Sequence, residues 1–414
     1  MNDLDRRDFL AAAGAFAVVS LMPSTLPAAP VRRGAPLNIA LIGAGRQGSA
    51  ALVELAKIDA AKVVAVCDTD QSRADRAARR TQGVAVFTSL AEMFDKVKEI
   101  NAVVIATPTH EHKAPAIASL AAGKHVYCET PLAHTREDVL AIHQAAQAAQ
   151  GNKLVFASAL EGRSNPIYKL SRGFYRSDAV RDLIAMRAQS DQKTTWRVPA
   201  SDPAREAALN WRLDKALSIG LPGELGVHQF DVFHWFKNDY PVSVRGSGSI
   251  RFHKDGREIP DTVHCDLAFA DGVRLSWDAT LANSFQGTHE IFLGSNAAIK
   301  LAWTAGWMFK EADAPQQGWE VYANRQQFHK DEGITLIADA TKLASQGKLK
   351  EGVGLPNPPL YYALADFVRS VTEGQPAVAS AADGARATLV ALAAHEAVAS
   401  GKEIAIDPAE LRSL

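Results

Sequence analysis

A continuous apolar run, Asn38-Ile39-Ala40-Leu41-Ile42, ends directly on Gly43-Ala44-Gly45-Arg46-Gln47-Gly48. An apolar run without polar alternation is the mark of a strand covered on both faces. The glycines that follow each answer a steric demand. Gly43 makes the tight turn, Gly45 lets the backbone approach a pyrophosphate, and Gly48 lets helix and strand pack closely. Helical spacing over residues 49–58 puts a helix N-terminus, with its N–H groups and partial positive charge, beside the phosphates. A second strand, 62–67, ends at Asp68. A carboxylate about 20 residues past the last glycine accepts from both adenosine-ribose hydroxyls and repels a 2′-phosphate. The loop residues Gly43, Gly45, Arg46, Gln47 and Gly48, with Asp68, are therefore assigned to a dinucleotide, NAD rather than NADP. A glycine turn without a ligand would need neither the buried strand before it nor the acid after it.

Strand and helix patterns keep alternating. Helices are expected at 72–81, 113–122 and 135–150, and strands at 102–106, 125–128 and 154–158. That alternation makes a doubly wound parallel sheet, a Rossmann domain over 36–158. Beyond residue 160 the texture changes. Alternating runs at 243–251, 262–269, 273–280 and 289–293, with Asp271-Gly272 as a hairpin signal, read as strands. The expected fold is thus α/β, with a C-terminal α+β domain over 159–414 whose open sheet is mostly antiparallel. Helices at 361–372 and 381–400 close the chain.

The first thirty residues read as an export signal rather than fold. Arg6-Arg7-Asp8-Phe9-Leu10 is a twin-arginine pattern, followed by an apolar run over 11–22 and a small-residue stretch ending near Ala28-Ala29. The run is short for a membrane span. The reading implies the twin-arginine export machinery as a partner and a periplasmic or otherwise exported location, membrane-anchored if the signal is uncleaved. Charge excludes a different class of partner. With 45 basic and 46 acidic side chains, no basic excess exists to neutralise nucleic-acid phosphates. Three cysteines make no disulfide framework.

Two further segments carry a family signature. Ala106-Thr107-Pro108-Thr109-His110-Glu111-His112 is followed by 122–132, ending Cys128-Glu129-Thr130-Pro131-Leu132, and later by Gly223-Glu224-Leu225-Gly226-Val227-His228-Gln229-Phe230-Asp231. The chain resembles the glucose–fructose oxidoreductase / inositol dehydrogenase (Gfo/Idh/MocA) superfamily in these motifs. The resemblance implies hydride transfer between a carbinol carbon of a sugar or polyol and a nicotinamide. It implies that Thr107, Pro108, His112, Glu129 and Pro131 border the cofactor, with Pro131 in a rigid turn. An alcohol oxidised in this way must lose its hydroxyl proton, and His228 is the expected base. Glu224, four residues earlier, is expected to orient it if the side chains meet. The family's lysine after the glutamate is here Thr130, which carries no charge and is shorter.

Arg163, Asn165, Tyr168, Trp196, Arg197 and Trp211 are candidate sugar contacts, each equally suited to packing between domains. His110 and His112 lack a third ligand, so no metal is expected. Three functions stay open. One is an NAD-dependent oxidoreductase of sugars or polyols with a retained cofactor. The second is a redox-assisted NAD-dependent glycosidase. The third is a non-catalytic carbohydrate-binding protein with structural NAD. A homo-oligomer is expected, through a sheet face that the domain's own helices leave uncovered.

Overall fold

The structure is a computed structural model. It describes residues 36–81, 83–317, 323–328, 330–338 and 353–414, with Glu320, Leu343 and Gln346. The export signal read over 1–30 lies outside the described residues. Leu37–Leu414 form one unit.

β1 (Leu37–Ile42) is buried along nearly its whole length, and the chain turns at Gly43, φ +91°, into α1 (Arg46–Leu55). The helix begins ahead of its apolar spacing because Arg46 and Gln47 are polar and add nothing to the apolar stripe. Then follow β2 (Ala61–Cys67), α2 (Gln71–Arg80), β3 (Ala85–Phe87), α3 (Leu90–Lys96), β4 (Ala102–Ile105), α4 (Lys113–Ala121), β5 (His125–Cys128), α5 (Arg136–Gln150) and β6 (Phe156–Ser158). The six strands pair in parallel in the order β3-β2-β1-β4-β5-β6. This is the doubly wound sheet the alternation predicts. Strand order reverses between β1 and β4, which opens a crevice at their carboxyl ends.

The second sheet has ten strands in the order β14-β15-β13-β12-β11-β7-β10-β9-β8-β16. They are β7 (Leu183–Asp191), β8 (Ser243–Ser249), β9 (Thr262–Ala268), β10 (Arg274–Thr280), β11 (Thr288–Gly294), β12 (Ala297–Ala302), β13 (Ala305–Lys310), β14 (Arg325–Phe328), β15 (Asp331–Thr335) and β16 (Ile404–Ala405). Only β7 and β10 pair in parallel. Its helices are α6 (Pro166–Arg176), α7 (Pro203–Leu209) and α8 (Val227–Lys237). One sheet face buries Val263, Cys265, Leu275, Trp277, Phe292 and Ile299.

The two sheets share their cover. α9 (Pro359–Glu373) returns to pack on α1, and α10 (Ala381–Ser400) lies against α5 on one side and β8 on the other. Ser380 caps α10, with Asp383 completing a reciprocal capping box. All three cysteines are buried and free. Among the described residues no helix is long and apolar enough to cross a membrane.

Candidate active site

The glycine loop has the shape its motif demands. A Cβ on Gly43 would lie 2.6 Å from the Thr107 nitrogen, and one on Gly48 would lie 1.9 Å from the Gly43 carbonyl oxygen. A Cβ on Gly45 would meet nothing within 4 Å. The first and third glycines are thus required by the protein itself, whereas the second faces open space that a pyrophosphate fits. Asp68 is buried at the end of β2. Its Oδ2 accepts from Ala44 N at 2.7 Å and its Oδ1 from Asp70 N at 2.8 Å. The carboxylate is therefore fixed between the loop and α2, with lone pairs left for ribose hydroxyls.

A dinucleotide with its ribose at Asp68 and its pyrophosphate at the β1 loop would extend its nicotinamide half past the ends of β4 and β5. Gln47 Nε2 donates to Glu129 Oε1 at 3.2 Å, linking the loop to the end of β5. Thr107 Oγ1 is buried without a partner. The Thr130–Pro131 bond is cis. His112 bridges two carbonyls, with Nδ1 3.0 Å from Pro131 O and Nε2 2.9 Å from Thr107 O. It ties together the two loops that border the nicotinamide pocket, so both ring nitrogens are engaged by protein rather than by cofactor. Pro108 precedes the 3₁₀ turn Thr109–Glu111 that ends this loop. Arg46, the first residue of α1, lies within electrostatic reach of Arg212 and Glu224; burial, then Arg212, lowers its pKa.

His228 comes from the second sheet's side. A π turn, Pro222–Gly226, leads directly into α8. Glu224 in that turn accepts from Thr109 Oγ1 at 2.9 Å, beyond the end of β4. Asp231, one turn after His228, accepts from Arg163 Nε and Nη2, both at 2.8 Å, beyond the end of β6. α8 also packs on the turn holding Gly162, where a Cβ would lie 2.8 Å from Val232. His228 lies in sequence between these two anchors, which tie its turn and helix to the ends of β4 and β6, the strands that flank β5. Gln229 locks the direction of the helix. It donates to Glu290 at 2.9 Å and accepts from the Trp277 indole at 2.7 Å. His228 Nδ1 is buried without a partner, and burial pulls the imidazole pKa down to about 4 against the fields of Asp231 and Glu224.

Several expected roles are corrected by these bonds. Glu224 does not orient His228, because its second oxygen accepts from Arg212 Nε at 2.7 Å. The Thr130 hydroxyl donates to Ala159 O at 3.1 Å, beyond the end of β6. Arg163 also pairs with Asp383 at 3.0 Å, so its guanidinium braces α8 and α10. Asn165 caps α6 through Ile167 N at 2.9 Å and donates to Trp303 O at 2.5 Å. The Tyr168 hydroxyl donates to Glu290 at 2.6 Å and accepts from Trp303 N at 3.2 Å. Asn165 and Tyr168 thus hold Trp303, which the sequence motifs did not single out. Its φ of +52° is unusual for a large side chain, and its ring meets that of His228 edge-on at 6.2 Å.

Trp196, Arg197 and Trp211 lie in one segment that leaves the second sheet. Arg197 pairs with Glu206 at 2.5 Å, Trp196 is partly buried with φ +59°, and Trp211 meets the His110 ring at 5.4 Å. Glu161 was also missed. It opens the turn after β6. Burial, together with the field of Glu129, pushes Glu161 up to about 8, while burial pushes Glu129 up to about 7. Its only sequence signal was a carboxylate immediately after an apolar strand. Among the described residues no group of three or more His, Cys, Asp or Glu side chains is arranged to hold a metal.

A glycine loop at the switch point of a doubly wound parallel sheet, with an acid at the end of the neighbouring strand, defines a dinucleotide-dependent oxidoreductase. The chain belongs to the GFO/IDH/MocA oxidoreductase family. Residues 37–157 match its NAD-binding Rossmann fold and residues 182–300 its C-terminal domain. The chain is 27% identical to an inositol 2-dehydrogenase of Acidothermus cellulolyticus, over 91% of this chain and 97% of that one. It is 26% identical to a levoglucosan dehydrogenase of Pseudarthrobacter phenanthrenivorans, over 59% and 67%. A levoglucosan dehydrogenase structure in complex with NADH superposes with a TM-score of 0.71 at 22% identity, covering 90% of this chain and 99% of that chain.

Proposed function

We propose that the chain oxidises a secondary alcohol of a sugar, polyol or glycoside, with His228 as the base. When bound, NAD supplies the hydride acceptor. The alcohol's C–H bond gives up its electron pair as hydride, and the O–H proton goes to His228. The observation that supports this reading is that Glu224 and Asp231, on either side of His228 in sequence, tie its turn and helix to the ends of β4 and β6. A low-pKa imidazole is neutral throughout the physiological range, so it is ready to accept a proton. Trp303 beside it offers an apolar ring to the C–H face of a sugar. Loss of sugar-dependent nicotinamide reduction in His228→Ala, with NAD binding kept, tests the assignment.

The twin-arginine pattern supports export, and an exported enzyme has no cytoplasmic cofactor pool to draw on. A retained cofactor that is reduced and reoxidised in one cycle fits that setting. Carbohydrate is therefore the proposed partner, with a second copy of the chain. The redox-assisted glycosidase and the non-catalytic binding protein would use the same groove, but no observation favours them over alcohol oxidation.

A further inference from the structure

The dinucleotide groove runs along the carboxyl ends of β2, β1 and β4, and one segment of the second domain crosses it from end to end. At the β2 end, Arg205 Nη2 lies 2.7 Å from Asp70 Oδ2 and 3.3 Å from Ser72 Oγ, at the start of α2. At the β4 end, Trp211 meets His110, and Arg212 holds Glu224 against Thr109. The spans agree. β2 and β4 flank β1 and so stand two strand spacings apart, about 9.6 Å. The four helical steps from Arg205 to Leu209 rise about 6 Å, and the turn through Asn210 carries the chain on to Trp211.

Between its anchors one side of the helix is open. α7 buries no residue, and Ala204, Ala207 and Ala208 are exposed. Its shape is held from its own side: Asp202 caps Arg205 N at 2.7 Å, and Asn210 exchanges hydrogen bonds with both backbone groups of Val198. The opposite wall of the groove is equally open, since a Cβ on Gly45 would meet nothing. The latch also bears on the ribose site, because Asp70 N is one of the two donors that fix Asp68.

We propose that α7 and the turn after it form a strap over the bound dinucleotide, with Arg205 as the latch that limits cofactor exchange. The proposal rests on the retained-cofactor reading above and names the residues that would retain it. Entry and release then require the Arg205–Asp70 pair to open, so the pair slows both rates more than it changes affinity.

Protein loaded with NADH is chased with excess NAD, and release is followed by the loss of bound NADH fluorescence. Arg205→Ala should release NADH about three- to fivefold faster, the worth of one exposed ion pair. Lys215→Ala, which removes a surface pair with Glu258, should match the wild type. Equal release from Arg205→Ala and wild type overturns the strap. In wild-type protein, NADH should also slow trypsin cleavage after Arg205; cleavage indifferent to NADH overturns it too, whether or not the variant folds. Fast exchange in the wild type contradicts only the retained cofactor, because the ratio of variant to wild type decides the strap.

Discussion

Glu161 and Glu129 set a pH dependence that can be read from their surroundings. Both carboxyls are held neutral by burial, Glu161 rising from 4.5 to about 8. The folded chain therefore binds this proton more tightly than the unfolded chain does. Its contribution to stability is complete below about pH 4.5 and is lost as pH rises through about 8. Glu161→Gln cannot ionise, so the melting temperature of the variant should fall less than that of the wild type across this window. Parallel curves would contradict the assignment. His228 titrates the other way. With its pKa near 4, kcat/KM should hold through neutral pH and decline only toward that value. His228→Ala should lower turnover about a hundredfold, the usual worth of a positioned base, while cofactor binding measured by NADH fluorescence stays intact. A decline centred in the ordinary histidine range would show that the base is solvated, not buried.

The turn between β12 and β13 shows how an element can carry a strained residue to a site. Trp303 adopts a left-handed φ that costs most side chains about 1 kcal/mol or more, and Asn165 and Tyr168 hold it there. Trp303→Gly removes both the strain and the ring. The melting temperature should hold or rise while KM for the sugar rises about tenfold; an unchanged KM would remove Trp303 from the substrate wall. This turn was illegible in the sequence, as were β3 and β7, which pairing across the sheet places, and β12 to β15, whose short hairpins carry no Gly or Asn at the turn. The glycine loop and Asp68 were legible because their demands are local: a positive φ, a missing Cβ, an acid at a strand end. Glu224 was misread for a definable reason. Spacing by four residues assumes an α-helix, but Pro222–Gly226 is a π turn with longer spacing, so Glu224 turns toward Thr109 and Arg212. Arg163, Asn165 and Tyr168 were found as polar residues near the site, yet only the tertiary structure gives them their partners.

On the scale of the whole molecule, the face of the second sheet opposite its buried one carries half-buried apolar side chains. Trp307 and Phe309 each meet Phe328 at 5.4 Å on that face, and Ile291 and Leu293 lie half-buried on the neighbouring β11. An apolar face of this kind is proposed to pair with a second copy, so light scattering at micromolar concentration should give a dimer or tetramer, and a monomer would contradict it. The two sheets meet through shared helices, which join the domains into one unit. Hydride transfer from a carbohydrate alcohol is the central claim, and it has a direct optical test. Protein carrying NAD is mixed in turn with inositols, levoglucosan and other sugars, and the absorbance of reduced nicotinamide is followed in wild type and His228→Ala. The account predicts that at least one polyol or sugar reduces the wild-type cofactor and that the variant loses this response. A protein that holds NAD firmly and shows no reduction with any of them would contradict it.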